Sequence, residues 1–286
     1  MSAPIYHYFC GGKTVEFSPR GDIWITDIND DGMDVSFCET ASAGQKGTTN
    51  NGASVGSRDI TINGAILRDL EANERLLKSA VRPLAQARLT KTVNGVGWYL
   101  DGAAARTPDI VQQQGYLPFQ FKFRAFFPFW RTLERQDTLL GGLASAWFPT
   151  PVSTAGTFRI STTKKSLYTA VFNDGNTDAE FQLTFSASAR VVEPTVYHMG
   201  TGRYLRLNMT LAAGEKAVVR TITGSRGCTV YDSTGTSYNG FRYLDIGSDL
   251  AMVLLPGENL LRLTAAEGRD NLTCRLSAPK GVASSV

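Results

Sequence analysis

A chain of 286 residues, 42% of them apolar and 10% aromatic, is long enough for about two domains and can bury substantial cores. Its net charge of +3, from 29 basic against 26 acidic side chains, is too small, and its basic residues too scattered, to point to nucleic acid or an anionic membrane. No run reaches the ~18 apolar residues of a spanning helix, and the opening MSAPIYHYFCGGK lacks a signal peptide's basic start and apolar stretch, so cytoplasmic synthesis is expected.

Short strands are expected at Ile23-Trp24-Ile25 and Asp34-Val35-Ser36-Phe37, flanking the turn-rich Asn29-Asp30-Asp31-Gly32. That turn resembles a calcium loop only superficially, because the DxDxDG spacing and the closing glutamate are missing. Ala41 to Ser57 is rich in glycine, serine, threonine and asparagine and shows no periodicity. It reads as a mobile loop, either a surface excursion or a binding element. Asp59-Ile60-Thr61-Ile62 then alternates polar and apolar residues. A helix is predicted from Asp69 to Pro83. Asp69 is placed to cap its open N–H groups, and Leu70, Leu77, Ala80, Val81 and Leu84 fall near one face. Glu71–Arg75 and Glu74–Lys78 are i,i+4 pairs on the other face, worth about 0.2–0.5 kcal/mol each. Arg82 precedes a proline, which disfavours continuing the helix. One apolar stripe must pack on a sheet, and the flanking strands supply it.

Leu89 to Leu100 reads as a hairpin around Asn94-Gly95, since a two-residue type I′ turn needs two positive φ angles. Leu89 and Lys91 face opposite to Thr90 and Thr92, and Val96, Trp98 and Leu100 opposite to Gly97, Tyr99 and Asp101. Leu117 to Trp130, LPFQFKFRAFFPFW, carries six phenylalanines and a tryptophan. Phe119, Phe121 and Phe123 share one face, read as core, before the phase slips at Phe126-Phe127 in a bulge or bend.

Leu139 to Gly156, LLGGLASAWFPTPVSTAG, is the expected boundary, giving an N-terminal domain at 1–138, a linker at 139–156 and a second domain at 157–286. Strands are predicted there at Thr157–Ser161, Ser166–Phe172, Glu180–Ser186, Tyr204–Met209, Lys216–Thr221, Gly227–Tyr231, Leu250–Leu255 and Leu260–Ala265. Turn signals separate them at Asn173-Asp174-Gly175-Asn176, Ala213-Gly214-Glu215, Asp232 to Gly235, and Pro256-Gly257-Glu258-Asn259. The whole is mainly β: a β domain with one α-helix and a hairpin, then a β-sandwich of jelly-roll type.

No catalytic set assembles. His7 and His198 sit in neither an HExxH pattern nor a GxSxG elbow. Gly95-Val96-Gly97 and Gly200-Thr201-Gly202 lack the third glycine of a nucleotide fingerprint, and no P-loop is present. Cys10, Cys38, Cys228 and Cys274 show no CxxC pair or metal spacing and read as small buried thiols. No catalytic, cofactor-binding or metal-binding residue is therefore expected. Paired carboxylates of a glycoside hydrolase cannot be matched from sequence. Trp147, Tyr197, Tyr204, Tyr231 and Tyr238 are available to stack on a sugar, or to pack in a core or interface. That leaves open a glycan-binding β-sandwich serving host-surface attachment, with Tyr197, Tyr204 and Tyr238 as glycan or partner contacts.

Three places together resemble one family, the distal tail protein of long-tailed phages (the siphovirus tail component). The first is Ile62-Asn63-Gly64-Ala65-Ile66 followed by the helix from Asp69 to Pro83. The second is Gly97-Trp98-Tyr99-Leu100-Asp101-Gly102 leading into Phe121-Lys122-Phe123 and Pro128-Phe129-Trp130, with Phe127 where the family carries an acidic residue. The third comprises Phe172-Asn173-Asp174-Gly175-Asn176, Leu211-Ala212-Ala213-Gly214-Glu215 and Leu255-Pro256-Gly257-Glu258-Asn259, similar to turns and a strand connection of the family's galectin-like domain. The resemblance implies a virion structural protein, not an enzyme. Such a protein forms a hexameric ring through its N-terminal domain, with a lumen open to DNA. The ring lies between the major tail tube protein and the tail-associated hub protein, and galectin-like domains outside dock receptor-binding proteins. A ring repeats a heterologous contact, for which hairpins and edge strands suit. Val93, Asn94, Gly95, Val96 and Trp98, with Val96 and Trp98 expected exposed at the hairpin tip, are the subunit-contact candidates; core packing is the alternative.

Overall fold

Alternation of apolar and polar residues builds most of this fold, and glycines are placed where strands crowd. The structure, a computed structural model, describes residues 4–29, 33–141, 143–146, 161–164 and 167–286. The chain divides into two units, Met1–Glu134 with Val282–Val286, and Arg135–Gly281.

The first unit contains β1 (Ile5–Cys10), β2 (Lys13–Phe17), β3 (Ile23–Asn29), β4 (Val35–Thr40), β5 (Thr49–Val55) and β6 (Arg58–Ile66). Helix α1 (Leu70–Ala80) follows, then β7 (Gln86–Val93), β8 (Val96–Ala104), β9 (Asp109–Ile110), β10 (Leu117–Ala125) and β11 (Trp130–Thr132). The main sheet runs β2-β1-β7-β8-β10-β6-β3 with antiparallel neighbours, β9 adding to β10 and β11 to β8. Phe119, Phe121 and Phe123 all point into the core, as their spacing predicts. Phe121 and Phe123 meet the Tyr8 ring edge-on at 5.6 and 6.1 Å, and Phe119 lies 6.0 Å from Phe17. Each such buried ring contributes about 1.5–3 kcal/mol. Gly64 is required opposite this row: a Cβ there would lie 2.4 Å from the Phe119 ring and from the Trp24 carbonyl oxygen. The phase slip at Phe126-Phe127 is a bend that turns Phe126 to solvent and brings Trp130 into the core.

Helix α1 sets Leu77, Ala80 and Val81 into the core, with Leu70 partly buried against it. Both i,i+4 pairs form, Arg75 with Glu71 at 3.5 Å and Lys78 with Glu74 at 2.6 Å. Two details differ from expectation. Asp69 sits at φ +43 and its side chain makes no cap bond; instead the Asn73 side chain donates to the Arg68 carbonyl at 2.8 Å. Leu84 is not on the apolar stripe, because the helix ends at Ala80 and Leu84, at φ +65, is fully exposed.

Ala41 to Ser57 is not a loop throughout. β5 pairs with β4 as an antiparallel two-stranded ribbon whose residues are all exposed. Main-chain pairing, not a buried side-chain face, holds it together, and a sequence without periodicity hides such a strand. Cys38, expected buried, is exposed on this ribbon, whereas Cys10, Cys228 and Cys274 are buried free thiols.

The second unit contains β12 (Arg135–Leu140), β13 (Leu143–Ala146), β14 (Ser161–Lys164), β15 (Tyr168–Asn173), β16 (Gln182–Ala187), β17 (Val191–Val192) and β18 (Thr195–His198). It continues with β19 (Tyr204–Arg206), β20 (Thr210–Leu211), β21 (Lys216–Arg220), β22 (Gly227–Tyr231), β23 (Ser237–Asn239), β24 (Gly257–Thr264) and β25 (Leu272–Pro279). One sheet runs β12-β25-β16-β21-β22-β23, another β15-β24-β18-β19. Each buries one face, Leu183, Phe185, Val219 and Leu276 on the first, Val171, Val196, Leu205, Leu261 and Leu263 on the second, as a sandwich requires. Leu139 and Leu140, at the start of the expected linker, belong to β12, paired with β25. The predicted strand Leu250–Leu255 is absent: the Asp249 carboxylate accepts from the Ala251 N–H and its carbonyl from Met252, folding the segment into a turn with only a bridge at Leu254. Of the predicted strand Thr157–Ser161, all but Ser161 lies outside the described residues.

Both turn motifs are held by buried asparagines. Asn173 donates to the Thr177 and Leu254 carbonyls at 2.8 and 3.1 Å and accepts from the Gly175 N–H at 3.1 Å. Asn259 donates to the Leu255 and Gly257 carbonyls at 2.8 and 3.0 Å and accepts from the Leu255 N–H at 2.8 Å. The last strand, β26 (Val282–Ala283), returns to the first unit and pairs with β11. There the buried Arg58 donates to the Ser284 carbonyl at 2.7 Å, and the buried Lys91 donates to the Val286 main-chain oxygen.

Candidate functional site

The hairpin tip is built as its sequence demands. Asn94 and Gly95 take φ of +50 and +82, the two positive angles of a type I′ turn, and β7 pairs with β8 down to Val93↔Val96. Asn94, Gly95 and Val96 are exposed and Val93 half-buried. Trp98 is not exposed as expected: it packs against the core beneath, because the Leu133 N–H bonds the Gly97 carbonyl at 2.8 Å and draws the chain across this end. The protruding part of the tip is thus Asn94 to Val96.

The β4–β5 ribbon is a second exposed feature; the sequence predicts its first strand, at Asp34-Val35-Ser36-Phe37, and misses the second. Its register places Val35 opposite Val55 and Phe37 opposite Ala53, so one side is apolar, while Ser36 opposes Ser54 on the other. Phe37 is 59% exposed, large for an unpartnered aromatic. β5, TNNGASV, carries no alternation that could have announced it.

The tyrosines divide between two places. Tyr197 and Tyr204 are cross-strand neighbours on β18 and β19, with ring centroids 5.5 Å apart. The Tyr204 hydroxyl donates to the Asp245 carboxylate at 2.8 Å, and Arg206 donates to the Tyr197 hydroxyl at 3.0 Å. Bonds from Asn208 and then from Tyr204 hold the Asp245 carboxyl below the usual carboxylate range, and the bond to Asp245 holds the Tyr204 phenol above its ordinary range. Tyr238 stands apart on β23 and meets Tyr243 edge-on at 6.4 Å, and Tyr231 lies on neighbouring β22. Trp147 lies outside the described residues.

The histidines are spoken for. His198 is buried, its Nε2 2.9 Å from the Asn259 side-chain oxygen and its Nδ1 accepting from the Thr201 N–H, so it braces the second turn motif. His7 lies 3.9 Å from Glu16 on a strand pair. Burial pushes the Cys228 thiol up to about 11 and that of Cys274 higher still, which leaves both inert as nucleophiles. Among the described residues no group of three His, Cys, Asp or Glu side chains is placed to hold a metal ion. No described helix is long and apolar enough to cross a membrane.

No protein-family model matches the chain, and no curated protein does. Solved structures do. The Dit (gp 19.1) protein of phage SPP1, described as a paradigm of the hub adsorption apparatus in phages that infect Gram-positive bacteria, aligns with TM-score 0.66 and 11% identity over 96% of this chain and 98% of its own. A chain of the phage P2 baseplate in its activated conformation with calcium aligns with TM-score 0.54 and 12% identity over 99% of this chain and 100% of that one. The same baseplate with strontium aligns with TM-score 0.50 and 10% identity over 100% of both chains. At such identities the likeness is one of fold, and it runs through both units.

Proposed function

We propose that this chain is a structural virion protein of a long-tailed phage or a tail-derived particle, the distal tail ring that joins the tail tube to the tail-tip apparatus. The observation that carries the reading is the alignment with the SPP1 hub protein over 96% of this chain and 98% of that one. A shared single domain would say less, since sandwiches serve many functions. A fold shared end to end, together with the order of the sequence motifs, supports the reading of an assembly component without catalysis.

In this reading the first unit forms a closed ring, a hexamer by family resemblance, whose lumen passes DNA. The exposed turn Asn94 to Val96 and the apolar side of the β4–β5 ribbon supply the two unlike faces that a heterologous ring contact needs. An isolated two-stranded ribbon is marginal in water, so a neighbouring copy is its natural support. The second unit corresponds to the galectin-like domain, outside the ring, where receptor-binding proteins dock. The tail tube protein and the hub protein bind opposite faces of the ring.

Immunogold labelling tests the placement. Antibody raised against the purified chain, applied to particles from cells that encode it, should label the tip of the tail opposite the head. Label along the tube, on the head, or on no particle would overturn the reading.

A further inference from the structure

The four-stranded sheet of the second unit has a surface face that the ring reading does not use. Register aligns Tyr168, Arg262, Tyr197 and Tyr204 side by side across β15, β24, β18 and β19. Three strand spacings of about 4.8 Å make this row about 14 Å long. Arg262 stands between two tyrosines, its Nε buried without a hydrogen-bond partner among the described residues.

The two hydroxyls of the inner pair are polarised in opposite senses. Tyr204 gives its hydrogen to Asp245 and is left with acceptor lone pairs; Tyr197 accepts from Arg206 and keeps its hydrogen to donate. Asp245 is itself fixed by Asn208 at 3.0 Å and by the Gly247 N–H at 3.1 Å, so the polarity is set before any ligand arrives. An acceptor and a donor, on rings 5.5 Å apart, match the alternating donor and acceptor character of adjacent hydroxyls on a ring polyol.

Charge narrows the occupant. Arg203 pairs with Asp249 at 3.1 Å, Asp245 lies beside Arg206 through the two tyrosines, and Arg262 shares its strand face with Glu258. A balanced surface gives no attraction to polyanions such as nucleic acid or an acidic peptide. Aromatic rings with fixed, planar hydrogen-bonding groups and no net charge suit a neutral sugar chain.

We propose that this face binds a neutral glycan, its sugar rings lying along the row from Tyr168 to Tyr204. The proposal is independent of ring formation. Its test uses saturation-transfer NMR on the full-length protein with glucose, galactose, N-acetylglucosamine and rhamnose, each alone at millimolar concentration. At least one sugar should receive transfer from the protein. Tyr197→Ala and Tyr204→Ala should each weaken its binding by about tenfold, the effect of losing one aromatic contact. Tyr204→Phe, which keeps the ring and the fold but frees Asp245, should give a smaller loss, and Tyr238→Ala on the other sheet none. Transfer to none of the four sugars overturns the proposal and leaves the face to a protein contact. Transfer undiminished in Tyr204→Ala, with circular dichroism unchanged, overturns it as well.

Discussion

Replacing Asn259 by alanine should destabilise the second unit far more than its position in a surface turn suggests. The side chain is 1% exposed and makes four good bonds: it accepts from His198 Nε2 and the Leu255 N–H, and donates to the carbonyls of Leu255 and Gly257. Each such bond contributes about 1 kcal/mol net, and a buried donor left without an acceptor costs about 1–3 kcal/mol. His198, itself 2% exposed, is the group most firmly stranded, while the Leu255 amide is only partly buried and can recover a water. The sum is about 3–5 kcal/mol, against the 5–15 kcal/mol that typically holds a domain, in which ~1 kcal/mol shifts are already large. The assay is urea unfolding followed by far-ultraviolet circular dichroism, with the exposed neighbour Glu258→Ala as control, expected within about 0.5 kcal/mol. An Asn259→Ala midpoint within about 1 kcal/mol of the parent would refute the argument, since the turn would then be held by something else.

Val96→Lys at the exposed hairpin tip should leave the melting temperature unchanged yet abolish ring formation in size-exclusion chromatography; Trp98→Ala is the poorer probe, because Trp98 supports the core. Phe37→Ser on the ribbon should behave like Val96→Lys, with stability kept within about 0.5 kcal/mol and assembly weakened. Deleting Val282–Val286 removes carbonyl partners of the buried Arg58 and Lys91 and should cost the first unit about 3–5 kcal/mol, read as a lower urea midpoint. Asp59 is held below the usual carboxylate range, first by its bond from Arg124, so its contribution is complete above the unfolded carboxylate pKa of about 4 and disappears as pH falls through the lower folded value. Asp59→Asn should therefore lower stability by at most about 1 kcal/mol at neutral pH and by less in acid, measured by urea midpoints at each pH.

Local rules wrote the first unit legibly. Asn94-Gly95 has one low-energy solution in a hairpin, and Phe119, Phe121 and Phe123 at period two can only bury one face. Helix α1 was readable in its body and misread at both ends, where Asp69 makes no capping bond and the chain leaves the helix before Leu84. The ribbon's second strand escaped notice because β5, TNNGASV, has no buried side to impose a period. β25, LTCRLSAP, does alternate, but its partners β12 and β16 lie far away in sequence, and nothing local announces them. The same holds for β26, whose return to Arg58 and Lys91 joins residues far apart in sequence. Of the candidate residues, Tyr197 and Tyr204 proved to be neighbours, which their spacing across a turn allows; Tyr238 joined Tyr243 instead. Asp245 and Arg206, which polarise the pair, were invisible, since a hydrogen bond between Tyr204 and Asp245 depends on the path of the intervening strands.

The absolute mass of the purified chain by light scattering, with negative-stain images of the main peak, tests the central claim most directly. One chain weighs 31.0 kDa, so the account predicts a discrete multiple of that mass, seen end-on as an open ring. A monomer at every concentration, remaining single when mixed with purified tail tube protein and hub protein, would contradict it.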